Sequence, residues 1–214
     1  MRPQVCLLWR LWAGAGCGIC FGLASGGQRG IKLVVRKQTT PITLAGGPRS
    51  RSPRDPHLSR GEIIAWLRAA PHRIAVATDG LPSHVLRAAP APEAWSIVEI
   101  VAHLRACADV WGDAIDQILA ARRPTFKAIS PYTWLKQTDY RSLEFAATMR
   151  AYRRQRAALV RQLQGLPARA WERSAIVTGC GAPLERTLTW YALGIAGHEQ
   201  SHLKHIERLL SERR

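Results

Sequence analysis

The sequence predicts an all-α fold: a four-helix bundle with a longer crossover between its second and third helices. Three observations carry the expectation. After residue 58, four long stretches repeat apolar residues at helical spacing. Runs containing Gly and Pro separate them. No stretch alternates apolar and polar residues as a half-buried sheet would. A chain of 214 residues that is 47% hydrophobic can bury a core of this kind.

Ser59 can cap the first helix, from Gly61 to about Thr78, with Ile63, Ile64, Leu67, Ile74 and Val76 as its apolar residues. Asp79-Gly80-Leu81-Pro82 stops it, and Pro90 and Pro92 keep the connection extended. Ser96-Ile97-Val98-Glu99 is a capping box: the serine accepts from a backbone N–H and the glutamate reaches back to the cap. The second helix follows it to about Ala121. Pro124 and Pro131 break a looser segment that runs to about Tyr140. A third helix spans about Ser142 to Leu163 and carries a basic face of Arg150, Arg153, Arg154, Arg156 and Arg161, read as solvent-facing. Gly165-Leu166-Pro167 ends it. A loop through Gly179-Cys180-Gly181-Ala182-Pro183 leads to the fourth helix, about Thr187 to Leu210.

Residues 1–58 read differently from residues 59–214. Val5 to Leu23 is mostly apolar but is broken by Arg10 and by glycines, so no stable membrane span is expected. Arg2 before this run and Ala24-Ser25-Gly26 after it loosely resemble a signal peptide. A strand at Ile31–Val35 and a linker from Gly46 to Pro56 complete the stretch, which is expected to be a disordered extension or an over-extended start. The net charge of +16 invites a nucleic-acid reading. Its distribution argues against one: residues 1–58 hold nine Lys/Arg against one acidic residue, so half the excess lies outside the expected bundle. Cys6, Cys17, Cys20, Cys107 and Cys180 are too few and too scattered for a disulfide framework, which points to a reducing, cytoplasmic location. Cys17-Gly18-Ile19-Cys20 lacks the second CxxC of a zinc site.

The chemistry concentrates in three histidines. His198 and His202 in Gly197-His198-Glu199-Gln200-Ser201-His202-Leu203 stand four apart, on one helical face. His103, on the second helix, would complete a three-nitrogen cap for one divalent ion and leave a coordination position open. An open position would acidify a bound water or thiol, and so supply a nucleophile near neutral pH.

Trp95-Ser96-Ile97-Val98-Glu99-Ile100-Val101-Ala102-His103-Leu104 resembles the second-helix signature of the DinB-like superfamily, helical metal-binding proteins unrelated to the DNA polymerase of similar name. Leu166-Pro167 and Trp171, then Thr187-Leu188 leading into His198-Glu199-Gln200-Ser201-His202-Leu203, resemble that family's last third. The resemblance covers about residues 60–212. It implies a bundle of four helices, often a homodimer, with a divalent metal (zinc, nickel, iron or manganese) on His103, His198 and His202. It also implies kinship with transferases and isomerases that depend on a low-molecular-weight thiol; a catalytic metal with an open position would suit a thiol or small-group transfer, or a hydrolysis, on a small molecule. A non-catalytic metal-binding stress-response bundle is the alternative of another class.

The letters His198-Glu199…His202 also satisfy the HExxH pattern of zinc proteases, where the glutamate is the general base. On a helix Glu199 points about 100° away from His198, and no sheet is expected to pack behind the motif. Glu99 and Cys107 flank His103 by one turn on either side. Glu99 reads as the capping acceptor or as a group orienting a ligand imidazole. Cys107 reads as a small core residue or as a thiolate ligand that would close the site. Glu199 and His205 are further candidates for the shell around the ligands. Trp95, Trp111, Trp134, Trp171, Trp190 and Tyr191 are expected in core and lid packing, some of them walling a pocket. An anionic thiol cofactor docking on the arginine-rich face is a further alternative.

Overall fold

The computed structural model describes residues 58–179 and 181–212; the readings of residues 1–57, of Cys6, Cys17 and Cys20 among them, and of Cys180 lie outside the described residues. Backbone contacts divide the chain into Met1–Ser50 and Arg51–Arg214, and every described residue belongs to the second unit. Leu58, placed with the extension by its sequence, is buried.

Four long helices form the bundle: α1 (Arg60–Ala77), α3 (Ile97–Ala120), α5 (Phe145–Gln164) and α6 (Leu188–Ser211). Two short ones, α2 (Ser83–Arg87) and α4 (Pro131–Lys136), lie in the connections. Both α1 and α3 pack against α5 and α6, so α1 stands diagonal to α3, and α5 to α6. The long connection from α3 to α5 is present as expected. The α1–α3 and α5–α6 connections are also long, because each crosses a diagonal of the bundle.

Local chemistry sets the helix starts. The Ser96 hydroxyl accepts from the Glu99 N–H, while the Ser96 N–H donates to Glu99 Oε2 at 3.0 Å. Ser59 and Glu62 form a second capping box of the same kind at α1. Thr187 caps α6 by accepting from the Trp190 N–H at 3.1 Å. The third long helix starts later than its sequence suggests: Glu144 is its N-cap, and the Ser142 hydroxyl donates instead to the Asp139 carbonyl.

The expectation of no sheet needs correction. A three-stranded sheet, β1 (Thr125–Lys127), β2 (Ser174–Thr178) and β3 (Leu184–Thr187), has β2 parallel to β1 and antiparallel to β3. Only Ala175 and Val177 of β2 turn inward, too short an alternation to rise above its surroundings. Gly179, with φ of 92°, turns the chain beside β1, and a Cβ there would come within 2.8 Å of the Lys127 side chain. The sheet ties the α3–α5 connection to the segment that feeds α6.

The core runs through α1, α3, α5 and α6, with Ile74, Ile97, Ile100, Leu104, Tyr152, Leu203 and Ile206 in one cluster. Each such aliphatic side chain contributes about 1.5–3 kcal/mol on burial. Val76, expected in the apolar face of α1, is 64% exposed, because at about 100° per residue it lies on the face away from the buried stripe of Ile63, Leu67, Ala70 and Ile74. Loss of the cap at the head of α3 tests this account. Ser96→Ala should lower the unfolding free energy by about 1 kcal/mol in chemical denaturation, with little change in helical content.

Candidate metal centre

The first half of α3 and the middle of α6 bring the three histidines together. His103 Nε2 lies 3.0 Å from His198 Nε2, and His202 Nε2 lies 3.1 Å from the same atom. His103 is buried, whereas His198 and His202 are half-buried and reach the surface. Burial holds all three imidazoles neutral: His198 is pulled down to about 3, and His103 and His202 well below their ordinary value, with the neighbouring rings adding to the effect.

Two facing ring nitrogens share at most one proton. His198 Nε2 carries either one hydrogen or one lone pair, so it cannot make a well-aligned hydrogen bond to both neighbours at once, whereas a cation among the three nitrogens would engage all three lone pairs. The spacing suits such a cation. Metal–nitrogen bonds of about 2.0–2.1 Å place ligand nitrogens about 2.9 Å apart at a right angle and about 3.3 Å apart at the tetrahedral angle.

Cys107, one turn along α3, adds a sulfur: its Sγ is 3.4 Å from His103 Nε2. His103, Cys107 and His198 form a candidate metal-holding cluster, their donor atoms all within 4.8 Å of one another. Burial pushes the Cys107 thiol well above its ordinary value, Glu199 adds to the rise, and Arg156 opposes it. The thiol is protonated until a cation replaces its proton.

The flanking residues go elsewhere. Glu99 Oε2 is held by Ser96 and Oε1 by Arg141, so its carboxylate orients the helix start rather than an imidazole. Burial raises the Glu99 pKa, but the Ser96 and Arg141 contacts outweigh it and leave the group below its ordinary value. Glu199 is buried about 100° around α6 from His198, against α5, where Oε1 accepts from Tyr152 and from Arg156 Nε at 2.8 Å. Its Oε2 is buried without a hydrogen-bond partner among the described residues, and the carboxylate faces α5 rather than lying between the two histidines as a zinc-protease base would. The same pair corrects the reading of Arg156 as solvent-facing: it is 1% exposed, while Arg150, Arg153, Arg154 and Arg161 are exposed. His205 is half-buried one turn beyond His202 and, among the described residues, shares no hydrogen bond or ring contact with the three histidines.

Aromatic rings wall the site. Trp95 sits 4.8 Å from the His103 ring and 6.0 Å from the His202 ring, and Trp111 meets His198 edge-on at 5.0 Å. Asp109, a residue with no motif around it, holds the α3–α5 connection in place. It accepts from Trp134 Nε1 at 3.0 Å and from the Tyr140 hydroxyl at 2.8 Å, and a contact with Gln155 joins it to α5. An acid in the middle of an amphipathic helix carries no signal of such a role.

Comparison with known proteins follows the same lines. The model of the DinB superfamily matches residues 66–206. YfiT from Bacillus subtilis, described as "a probable metal-dependent hydrolase with an unusual four-helix bundle topology", shares the fold. The TM-score is 0.64 at 17% sequence identity, over 80% of this chain and 95% of that one. Among curated proteins none matches the sequence.

Two outcomes test this geometry. Arg156→Ala leaves Glu199 buried without its cation and should lower stability by about 3–5 kcal/mol in chemical denaturation. The metal-free protein should also weaken in acid. Imidazoles held below their ordinary 6.5 stabilise the fold fully above that pH, and the contribution is lost as pH falls toward the folded value, about 3 for His198. Melting temperatures of the metal-free chain should drop from pH 7 to pH 5, and by less in a His103→Ala/His198→Ala/His202→Ala variant.

Proposed function

The chain belongs to the DinB superfamily, and on that premise we propose that it is a divalent-metal-dependent enzyme acting on a small molecule through His103, His198 and His202. The observation that carries the reading is the convergence of three neutral Nε2 atoms from two helices at 3.0 and 3.1 Å. The reaction is a hydrolysis or a group transfer involving a low-molecular-weight thiol. The description of the structural relative as a hydrolase supports the first of these.

A bound ion would act as a Lewis acid and lower the pKa of a water or thiol in its open position. An imidazole set suits zinc, nickel or iron better than manganese, which favours carboxylates. The protein's own residues do the rest. Burial keeps the imidazoles unprotonated and ready to donate at neutral pH. Trp95 and Trp111 fix the ring planes and keep bulk water from the flanks. Glu199 and Arg156 hold the rotation of α6 from the flank that faces α5. A homodimer and a cytoplasmic, reducing location belong to the same reading, the latter in keeping with the free thiol of Cys107.

The Sγ of Cys107, 3.4 Å from His103 Nε2, favours one second reading. A fourth, sulfur donor would close the coordination sphere and make the ion structural.

Elemental analysis separates these outcomes. The full chain should carry about one equivalent of metal, and the His103→Ala/His198→Ala/His202→Ala variant none. No metal in the parent after reconstitution would sink the assignment. In the cobalt form, an intense sulfur-to-metal absorption that vanishes in Cys107→Ser would select the closed, structural site. Its absence would select the open one. Among the described residues no helix is long and apolar enough to cross a membrane.

A further inference from the structure

We infer that the site selects substrates carrying a planar apolar group, which lies along an aromatic track leading outward from the histidines; this rests on the metal-dependent reading above. Three rings make the track. His202 and Trp95 are nearly parallel, 14° between planes and 6.0 Å between centroids. Trp95 and Tyr132 continue the same orientation, 13° and 6.3 Å. The series runs from a candidate ligand to the surface in two steps.

The backbone holds this track rigidly. Trp95 directly precedes the Ser96 cap, so its Cα is anchored to the first turn of α3. Tyr132 lies in the first turn of α4, whose Ser130 cap accepts from the Thr133 N–H. Asp109 fastens α4 to α3 through Trp134. A surface built in this way recognises with little loss of side-chain freedom.

Exposure supplies an independent observation. Tyr132 is 42% exposed and Ile129, three residues earlier, 46% exposed; with Val76 they are the large hydrophobic residues left exposed among the described ones. Two of the three therefore lie in the segment that carries the outer end of the track. Lys136 caps the outer ring, its Nζ 4.5 Å from the Tyr132 centroid. Flat aromatic faces beside a metal-binding head favour a ligand with a planar body over a short aliphatic one.

Two chelating probes that differ only in a ring test the inference: benzohydroxamate and acetohydroxamate, titrated against the cobalt-loaded full chain by visible absorption. The parent should bind benzohydroxamate about tenfold more tightly. Tyr132→Ala should reduce that preference at least threefold, and Tyr132→Phe should retain it. Equal affinities in the parent, or a preference unchanged in Tyr132→Ala, would overturn the aromatic track while leaving the metal reading intact. A chain that takes up no cobalt would overturn both.

Discussion

The buried ion pair between Glu199 and Arg156 is the constraint on which the site depends. Two charges withdrawn from water between α5 and α6 are tolerable only because each meets the other, here through Glu199 Oε1, while Oε2 is buried without a hydrogen-bond partner among the described residues. The Tyr152 hydroxyl donates to the same carboxylate oxygen and leaves little freedom in the register of the two helices. Glu199 adjoins His198 in sequence and lies about 100° around the helix from it. With Glu199 held against α5, His198 and His202 are turned toward α3, where His103 and Cys107 wait. The pair thus sets the rotation of α6, and that rotation aims the imidazoles.

The connections fix what the ion pair does not. The hairpin of β2 and β3 delivers Thr187 as both the last residue of a strand and the cap of α6, so the helix starts at one defined place. The Ser96 capping box does the same for α3. With both starts fixed, the axial positions of His103, His198 and His202 follow from residue count at 1.5 Å per residue. Asp109, through Trp134, Tyr140 and Gln155, holds the α3–α5 connection against the bundle and with it the aromatic wall.

Much of this was legible in the letters, for physical reasons that are local. Caps, proline stops and the four-residue spacing of His198 and His202 are short-range signals, and each has its counterpart in the structure. The pairing of those two residues with His103 was legible only through the family resemblance, since nothing in helical periodicity says which helices touch. Arg156 was misread because a charged residue in a basic run looks solvated. Its partner lies 43 positions away. The three-stranded sheet was missed because pairing across the chain, rather than alternation within any strand, defines it. Tyr132 and Asp109 carried no signal at all, because their roles arise from where the α3–α5 connection folds back.

Burial acts on the two kinds of donor in opposite senses. It strips the proton from the imidazoles and leaves it on the Cys107 thiol, because in each case the neutral form is the one that withdrawal from water favours. The nitrogens are therefore available at neutral pH without assistance, and the sulfur only once a cation has displaced its proton. Arg156 favours that step electrostatically and Glu199 opposes it, so the ion pair that orients α6 also bears on the thiol. A cation with strong affinity for sulfur would recruit Cys107 and close its own coordination sphere. One that prefers nitrogen and oxygen would leave the thiol protonated and keep a position free for substrate. On the metal-dependent reading, the openness of the centre would follow from which ion occupies it as well as from the fold.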